Sequence, residues 1–260
     1  MISHIIHYIW FGNNSLSSLA EQCLASWQVH MPDWQYMRWD ESNFDIAAAP
    51  LYVRQAYEAK KYAFVSDYVR LWALEKYGGV YMDTDVEVIK SFNPLLSDAA
   101  FIGFEESNVH LSGTCVMGCE PHCRWVQDML ALYNDISFVK PDGSFDMTTN
   151  VQRMGEIMLK ELKNERMREF WEVGVKDWKY WEKNQYIEKW GLRIYTHDYF
   201  SPITSTRVMQ RTNNTYSIHY FAGSWRDYTR WQSFKRWIVE HILGRKLVDK
   251  FVQVKRKLRV

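Results

Sequence analysis

Asp83 and Asp85, with only Thr84 between them, close the run YGGVYMDTD at residues 77–85. Val80-Tyr81-Met82 reads as a short buried strand, so both carboxylates stand at its carboxyl end, where ligands gather in open α/β sheets. Residues i and i+2 of an extended chain point to the same side, and the two side chains are therefore expected to face one site. Two close carboxylates repel, which raises the pKa of one unless a cation lies between them. A hard divalent ion, Mg²⁺ or Mn²⁺, would resolve that repulsion and could also bridge a diphosphate. The ordinary alternative is a polar turn after a strand, where aspartate is common.

Other stretches carry chemistry of the same kind. Asp67 and Arg70 are three apart in a helical pattern and share a face, either as an intrahelical ion pair or as groups that hold sugar hydroxyls and phosphate oxygens. In IHYFAGSW, His219 is a candidate Mn²⁺ ligand, and Gly223-Ser224-Trp225 offers a turn whose N–H groups and hydroxyl suit phosphate; a buried histidine and a core tryptophan are the plain alternative. Trp10 closes the first strand, either stacking on a nucleobase or packing in the core. Glu105 and Glu106 follow the strand FIGF as sugar or acceptor contacts or as surface carboxylates. Asn150 stands at a helix start, as a cap or a contact. Cys115, Cys119 and Cys123 beside His122 resemble a zinc cluster only loosely, because a helix expected from Pro121 would divide them.

Those groups need elements to carry them. Residues 5–12 read as a first strand running into a glycine loop, and Ser18-x-x-Glu21 as a capping box opening a helix that Pro32 ends. Residues 34–40 alternate like a strand. Residues 51–77 read as one helix stopped by Gly78-Gly79, and strands are expected at 79–82, 86–89 and 100–104. A helix is expected over 121–133 and another over 151–164, then late strands in LRIYTHDYFSPI and TYSIHYF. Strands alternating with helices indicate a layered α/β sheet.

With 260 residues, 47% hydrophobic and 24% charged, one domain with a substantial core is expected. A formal charge of +1 argues against a dedicated nucleic-acid binder. No apolar run approaches the roughly 20 residues that span a bilayer, and the N-terminus lacks the form of a secretory signal. A reduced, cytoplasmic chain is the expectation. Residues 231–260 differ from the rest: 9 Lys and Arg against 2 Asp and Glu give a local net of +7. Apolar residues recur there at helical spacing, so this segment reads as a basic amphipathic helix. It would either lie on an anionic membrane, peripheral to the inner face of the cell membrane, or dock on the domain.

The order IHYIWFG … SDYVRLWALEKYGGVYMDTD … IHYFAGSW resembles the DXD-containing sugar transferases, a family that includes bacterial capsule and lipopolysaccharide enzymes, the yeast initiating α-1,6-mannosyltransferase and, distantly, the large clostridial glucosylating toxins. Residues 62–90 are the most specific part, and 125–190 carry no matching motif. The resemblance implies a GT-A-type, Rossmann-like nucleotide-sugar fold with a mixed central sheet over residues 1–230. It implies a retaining, metal-dependent transfer of a hexose, from a UDP-sugar in preference to GDP-mannose, to a glycan or lipid-linked glycan acceptor. In that scheme Trp10 stacks on the base, Asp67 and Arg70 hold the donor sugar, and Tyr81 lies near the ribose. Asp83 contacts ribose and sugar hydroxyls and joins the metal set, Asp85 is the direct ligand to Mn²⁺ or Mg²⁺, and Ser224 with Trp225 closes over the diphosphate. His219 resembles the late histidine ligand of metal-dependent transferases such as glycogenin, where the toxins use an acidic residue. Two rival functions are a haloacid-dehalogenase-like phosphatase using Asp83 as nucleophile, for which a second acidic pair is missing, and a non-catalytic carbohydrate- or nucleotide-binding protein on a transferase fold.

Overall fold

Left-handed backbone at Gly78 (φ 61°) and Gly79 (φ 94°) makes the turn from a 16-residue helix into the central strand that ends at the paired aspartates. A side chain at Gly79 would place its Cβ 2.6 Å from the Ile5 carbonyl oxygen, so this close approach of two strands needs glycine. The computed structural model describes residues 1–105, 110–161, 183–203 and 208–223. In chain order the elements are β1 (Ile5–Ile9), α1 (Ser18–His30), β2 (Gln35–Trp39), α2 (Leu51–Glu58), α3 (Tyr62–Tyr77), β3 (Gly79–Met82), β4 (Val86–Val88), β5 (Ala100–Glu105), β6 (His110–Cys119), α4 (Arg124–Ala131), α5 (Asn150–Glu161), β7 (Gln185–Ile187), β8 (Leu192–Tyr195) and β9 (Ser217–His219).

Seven strands form one mixed sheet in the order β2-β1-β3-β6-β5-β8-β7, and β4 pairs with β9 in a separate antiparallel ribbon. β1 runs parallel to both β2 and β3, whereas β6 runs antiparallel to β3 and β5. The expected α/β architecture with a mixed central sheet is what forms. Alternate residues of β3 feed the two faces: Tyr81 joins a core built with α2, α3, α4 and α5, while Val80 and Met82 join a second core with α1 and β4. The period of two in the strand thus builds three layers.

Four local expectations are corrected. The cap of α1 is Ser17, whose hydroxyl accepts from Ala20 N at 3.2 Å, one residue before the anticipated Ser18. The helix expected over 51–77 is two helices. Lys60 at φ 57° ends α2, with Lys60 N–H donating to Tyr57 O and Lys61 N–H to Ala56 O, a Schellman closure in which lysine takes the place usual for glycine. The helix expected from Pro121 starts at Arg124, after a turn in which His122 has φ 58°. β6 was not anticipated, since HLSGTCVMGC mixes polar, apolar and glycine without a clean alternation.

The loose zinc-cluster pattern does not assemble: Cys119 and Cys123 lie against each other in one core, while Cys115 belongs to the other. His122 meets Glu75 at 2.9 Å instead. Residues 162–164 of the anticipated late helix, and the whole basic segment 231–260, lie outside the described residues. Among the described residues no helix is long and apolar enough to cross a membrane.

Candidate active site

Asp83 and Asp85 do reach one place, but through a turn and not by strand alternation. Val86 N–H donates to Asp83 O at 3.1 Å, closing the turn that carries the chain from β3 into β4. β4 then pairs with β9 so that Val86 lies opposite His219. This register brings a residue 134 positions downstream against Asp85: His219 Nε2 lies 3.4 Å from Asp85 Oδ1. The chain beyond β9 is tied to the same aspartate, with Ala222 N–H donating to Asp85 Oδ2 at 2.7 Å and Tyr220 N–H to Asp85 O at 3.0 Å.

Burial pushes the Asp85 carboxyl up, yet the adjoining imidazolium and the Ala222 N–H outweigh it and hold the group down at about 2. His219 is buried, which disfavours its charge, but Asp85 lifts it well above the ordinary histidine range. Each group thus favours the other's charge, and a cation held between them would take the place of the proton on Nε2. Ligand atoms of Asp83, Asp85 and His219 all lie within 4.8 Å of one another. Two carboxylate oxygens and one imidazole nitrogen suit Mn²⁺ well and Mg²⁺ less so, and the set fits the expected metal.

Behind the aspartates, one arginine organises the floor. Arg70 faces inward from α3 and is 7% exposed. It meets Asp67 Oδ1 at 3.0 Å and Asp83 Oδ1 at 3.3 Å. It also donates to Thr114 O at 3.0 Å and to Ser66 O at 3.2 Å, and its guanidinium lies 4.4 Å from the Tyr81 ring centre. The Tyr81 hydroxyl donates to Asp83 Oδ1 at 2.6 Å. Burial raises the Asp83 carboxyl, against the pull of Arg70. Burial likewise lifts Asp67 to about 6, opposed by Arg70 and by the N–H of Asn150.

A bulge delivers the Thr114 carbonyl to that arginine. In the β5–β6 pairing, Ile102 is opposite Met117 but the next residue, Gly103, is opposite Gly113. Residues 114–116 therefore stand out of register with β5, while Val116 stays paired with β3. Bulges of this kind re-aim groups beside functional sites.

The remaining predicted residues divide. Trp10, half-buried, follows β1 directly and so shares the carboxyl end of the sheet with Asp83; its Nε1–H donates to Asn14 O at 2.8 Å. Ser224, Trp225 and Glu106 lie outside the described residues. Glu105 is buried, not a surface carboxylate, with Oε1 3.3 Å from His219 Nδ1. Asn150 binds Asp67 twice: its backbone N–H reaches Oδ2 at 2.9 Å and its side-chain amide reaches the Asp67 carbonyl at 3.1 Å. Its helix-start position was legible, but nothing local in the sequence points from it to Asp67.

Residues 17–102 match the protein family described as "Glycosyltransferase sugar-binding region containing DXD motif". That span holds Asp67, Arg70, Tyr81, Asp83 and Asp85, and ends before Glu105 and His219. Inositol phosphoceramide mannosyltransferase 3 of Schizosaccharomyces pombe is 33% identical over 105 residues, covering 39% of this chain and 29% of the relative. Inositol phosphoceramide mannosyltransferase 1 of the same yeast is 32% identical over 111 residues, covering 39% of this chain and 33% of the relative. The matches thus span about a third of the length of either relative. Among solved structures, the PaToxG glycosyltransferase is similar with a TM-score of 0.49 at 15% identity, over 66% of this chain and 75% of that one.

Proposed function

We propose that this chain, which carries the DXD-containing sugar-binding region of glycosyltransferases over residues 17–102, is a metal-dependent, retaining hexosyltransferase with a GT-A-type fold. The observation that carries the reading is the convergence of Asp83, Asp85 and His219 within 4.8 Å at the carboxyl end of β3. A nucleotide sugar is the donor and a saccharide hydroxyl, on a glycan or lipid-linked glycan, is the acceptor. UDP was the nucleotide expected over GDP; the relatives' names, both mannosyltransferases acting on inositol phosphoceramide, put mannose among the sugars to test and support a lipid-linked acceptor. The basic segment 231–260, with its net of +7, would help bring such a chain to an anionic lipid surface.

Asp83, Asp85 and His219 would hold Mn²⁺ or Mg²⁺, which as a Lewis acid offsets the charge that grows on the leaving diphosphate. The chain's own residues do the rest. Trp10 receives the base, and Arg70, fixed by its two carboxylates, holds Asp67 and Asp83 toward the donor. Asp67 spends one oxygen on Arg70 and the other on Asn150, and its free lone pairs can still accept sugar hydroxyls. With no carboxylate assigned as a nucleophile in this reading, the acceptor hydroxyl attacks on the face the diphosphate leaves, and the leaving phosphate oxygen takes its proton.

The test is a titration with UDP and with GDP, each with and without Mn²⁺, beside Asp85→Ala. Mn²⁺-dependent binding of one nucleotide, weakened at least 100-fold in the variant, is the expected result. Absence of binding by both nucleotides to folded protein would remove the transferase reading.

A further inference from the structure

His219 has two ring nitrogens and two carboxylates, one beside each. Nε2 is directed to Asp85 at 3.4 Å, and Nδ1 stands 3.3 Å from Glu105 Oε1. Nδ1 is buried and makes no aligned hydrogen bond, although the residue is only 9% exposed. Glu105 is itself 8% exposed, at the end of β5. A buried carboxylate is costly unless a donor faces it, and His219 is the partner that the described residues give it. Gly113, paired with Gly103 on β5, makes room for the arrangement, since a Cβ there would come within 3.1 Å of Glu105 Cγ.

Resting on the transferase reading above, we propose that Glu105 is a positioning residue for the metal site: it receives the Nδ1–H of His219 and thereby fixes Nε2 as the nitrogen that faces the ion with Asp83 and Asp85. A histidine that ligates a metal through one nitrogen needs the other protonated and held, and a carboxylate is among the strongest acceptors for that purpose. A small turn of the imidazole closes the present 3.3 Å contact into a hydrogen bond. Glu105 lies outside the family-matched span of 17–102. Cys115, whose thiol also lies near both residues and interacts with His219, has a second partner in Ser201 Oγ at 3.2 Å; burial keeps the thiol neutral, which makes it a weaker acceptor for Nδ1–H than the Glu105 carboxylate.

Mn²⁺ binding is read from the electron paramagnetic resonance signal of the free ion, in saturating UDP or GDP, for the wild type, Glu105→Gln, His219→Ala and the double variant. Glu105→Gln is expected to weaken Mn²⁺ binding about 10- to 100-fold. In the His219→Ala background the same change is expected to have no further effect, because Glu105 acts through that ring. Undiminished affinity in Glu105→Gln overturns the proposal, and so does an equal weakening in both backgrounds, which would make Glu105 a direct ligand. Wild-type protein that binds no Mn²⁺, matching Asp85→Ala, overturns the transferase reading itself. A wild-type measurement guards against a variant that fails to fold: with diamagnetic Mg²⁺ bound, ¹⁵N resonances of His219 should show the proton on Nδ1, and a proton on Nε2 would refute the assignment.

Discussion

Arg70→Met removes the guanidinium that contacts both Asp67 and Asp83, and its cost can be worked from the geometry. The arginine side chain is 7% exposed and its partners are 13% and 26% exposed, so both carboxylates lose a close charge with little water to replace it. Breaking a buried pair from one side costs about 3–5 kcal/mol; the quarter exposure of Asp83 places this case at roughly 3 kcal/mol. For a chain of this size that is a fall of roughly 6–12 °C in Tm. Asp67, already lifted to about 6, escapes part of the penalty by taking a proton once its partner is gone. The loss should therefore be larger at pH 8 than at pH 5.5. Adding Asp67→Asn to Arg70→Met should recover about 1–2 kcal/mol, a coupling expected of groups in direct contact. Urea and thermal unfolding of the singles and the double at both pH values measure all of this. A loss below about 1 kcal/mol, or strict additivity in the double, would show that Arg70 does not hold the carboxylates as described.

Two further perturbations test the frame around the site. His7 is buried and neutral, its Nε2–H donating to Gly78 O at 2.8 Å while Nδ1 accepts from Trp39 Nε1 at 3.1 Å; burial lowers it to about 4, against the raising effect of the Gly78 hydrogen bond. Since the unfolded chain takes up this proton first, stability is full above the unfolded pKa of about 6.5 and falls as pH drops toward 4, by about 3 kcal/mol in total; urea unfolding at pH 7 and 4.5 should show a steeper loss in the wild type than in His7→Gln, and equal slopes would refute it. Gly79→Ala should lower stability by roughly 2 kcal/mol or more in thermal unfolding, from its φ of 94° and the 2.6 Å approach of the new Cβ to Ile5 O; a neutral result would mean that β1 and β3 are not so closely apposed.

What could be read from the sequence divides by the range over which residues act. The run from α3 to Asp85 is continuous, so helix periodicity, the two glycines and the strand before the aspartates place Asp67, Arg70, Tyr81, Asp83 and Asp85 together with little help from tertiary structure. The turn at Asp83 changes how the carboxylates converge, but not that they do. His219 could be named as a candidate ligand but not located, because it reaches Asp85 only through the β4–β9 register. β6 was missed for a related reason: its backbone serves β3 on one edge and breaks register with β5 on the other, and a bulge leaves no period for a pattern to follow. Yet that irregularity aims Thr114 O at Arg70, while Gly113 leaves space for Glu105. The residues proposed to hold a nucleotide sugar are thus written locally, around one helix–strand turn. Those proposed to orient the metal ligands are written across distant segments, and local reading returns their residue types without their purpose.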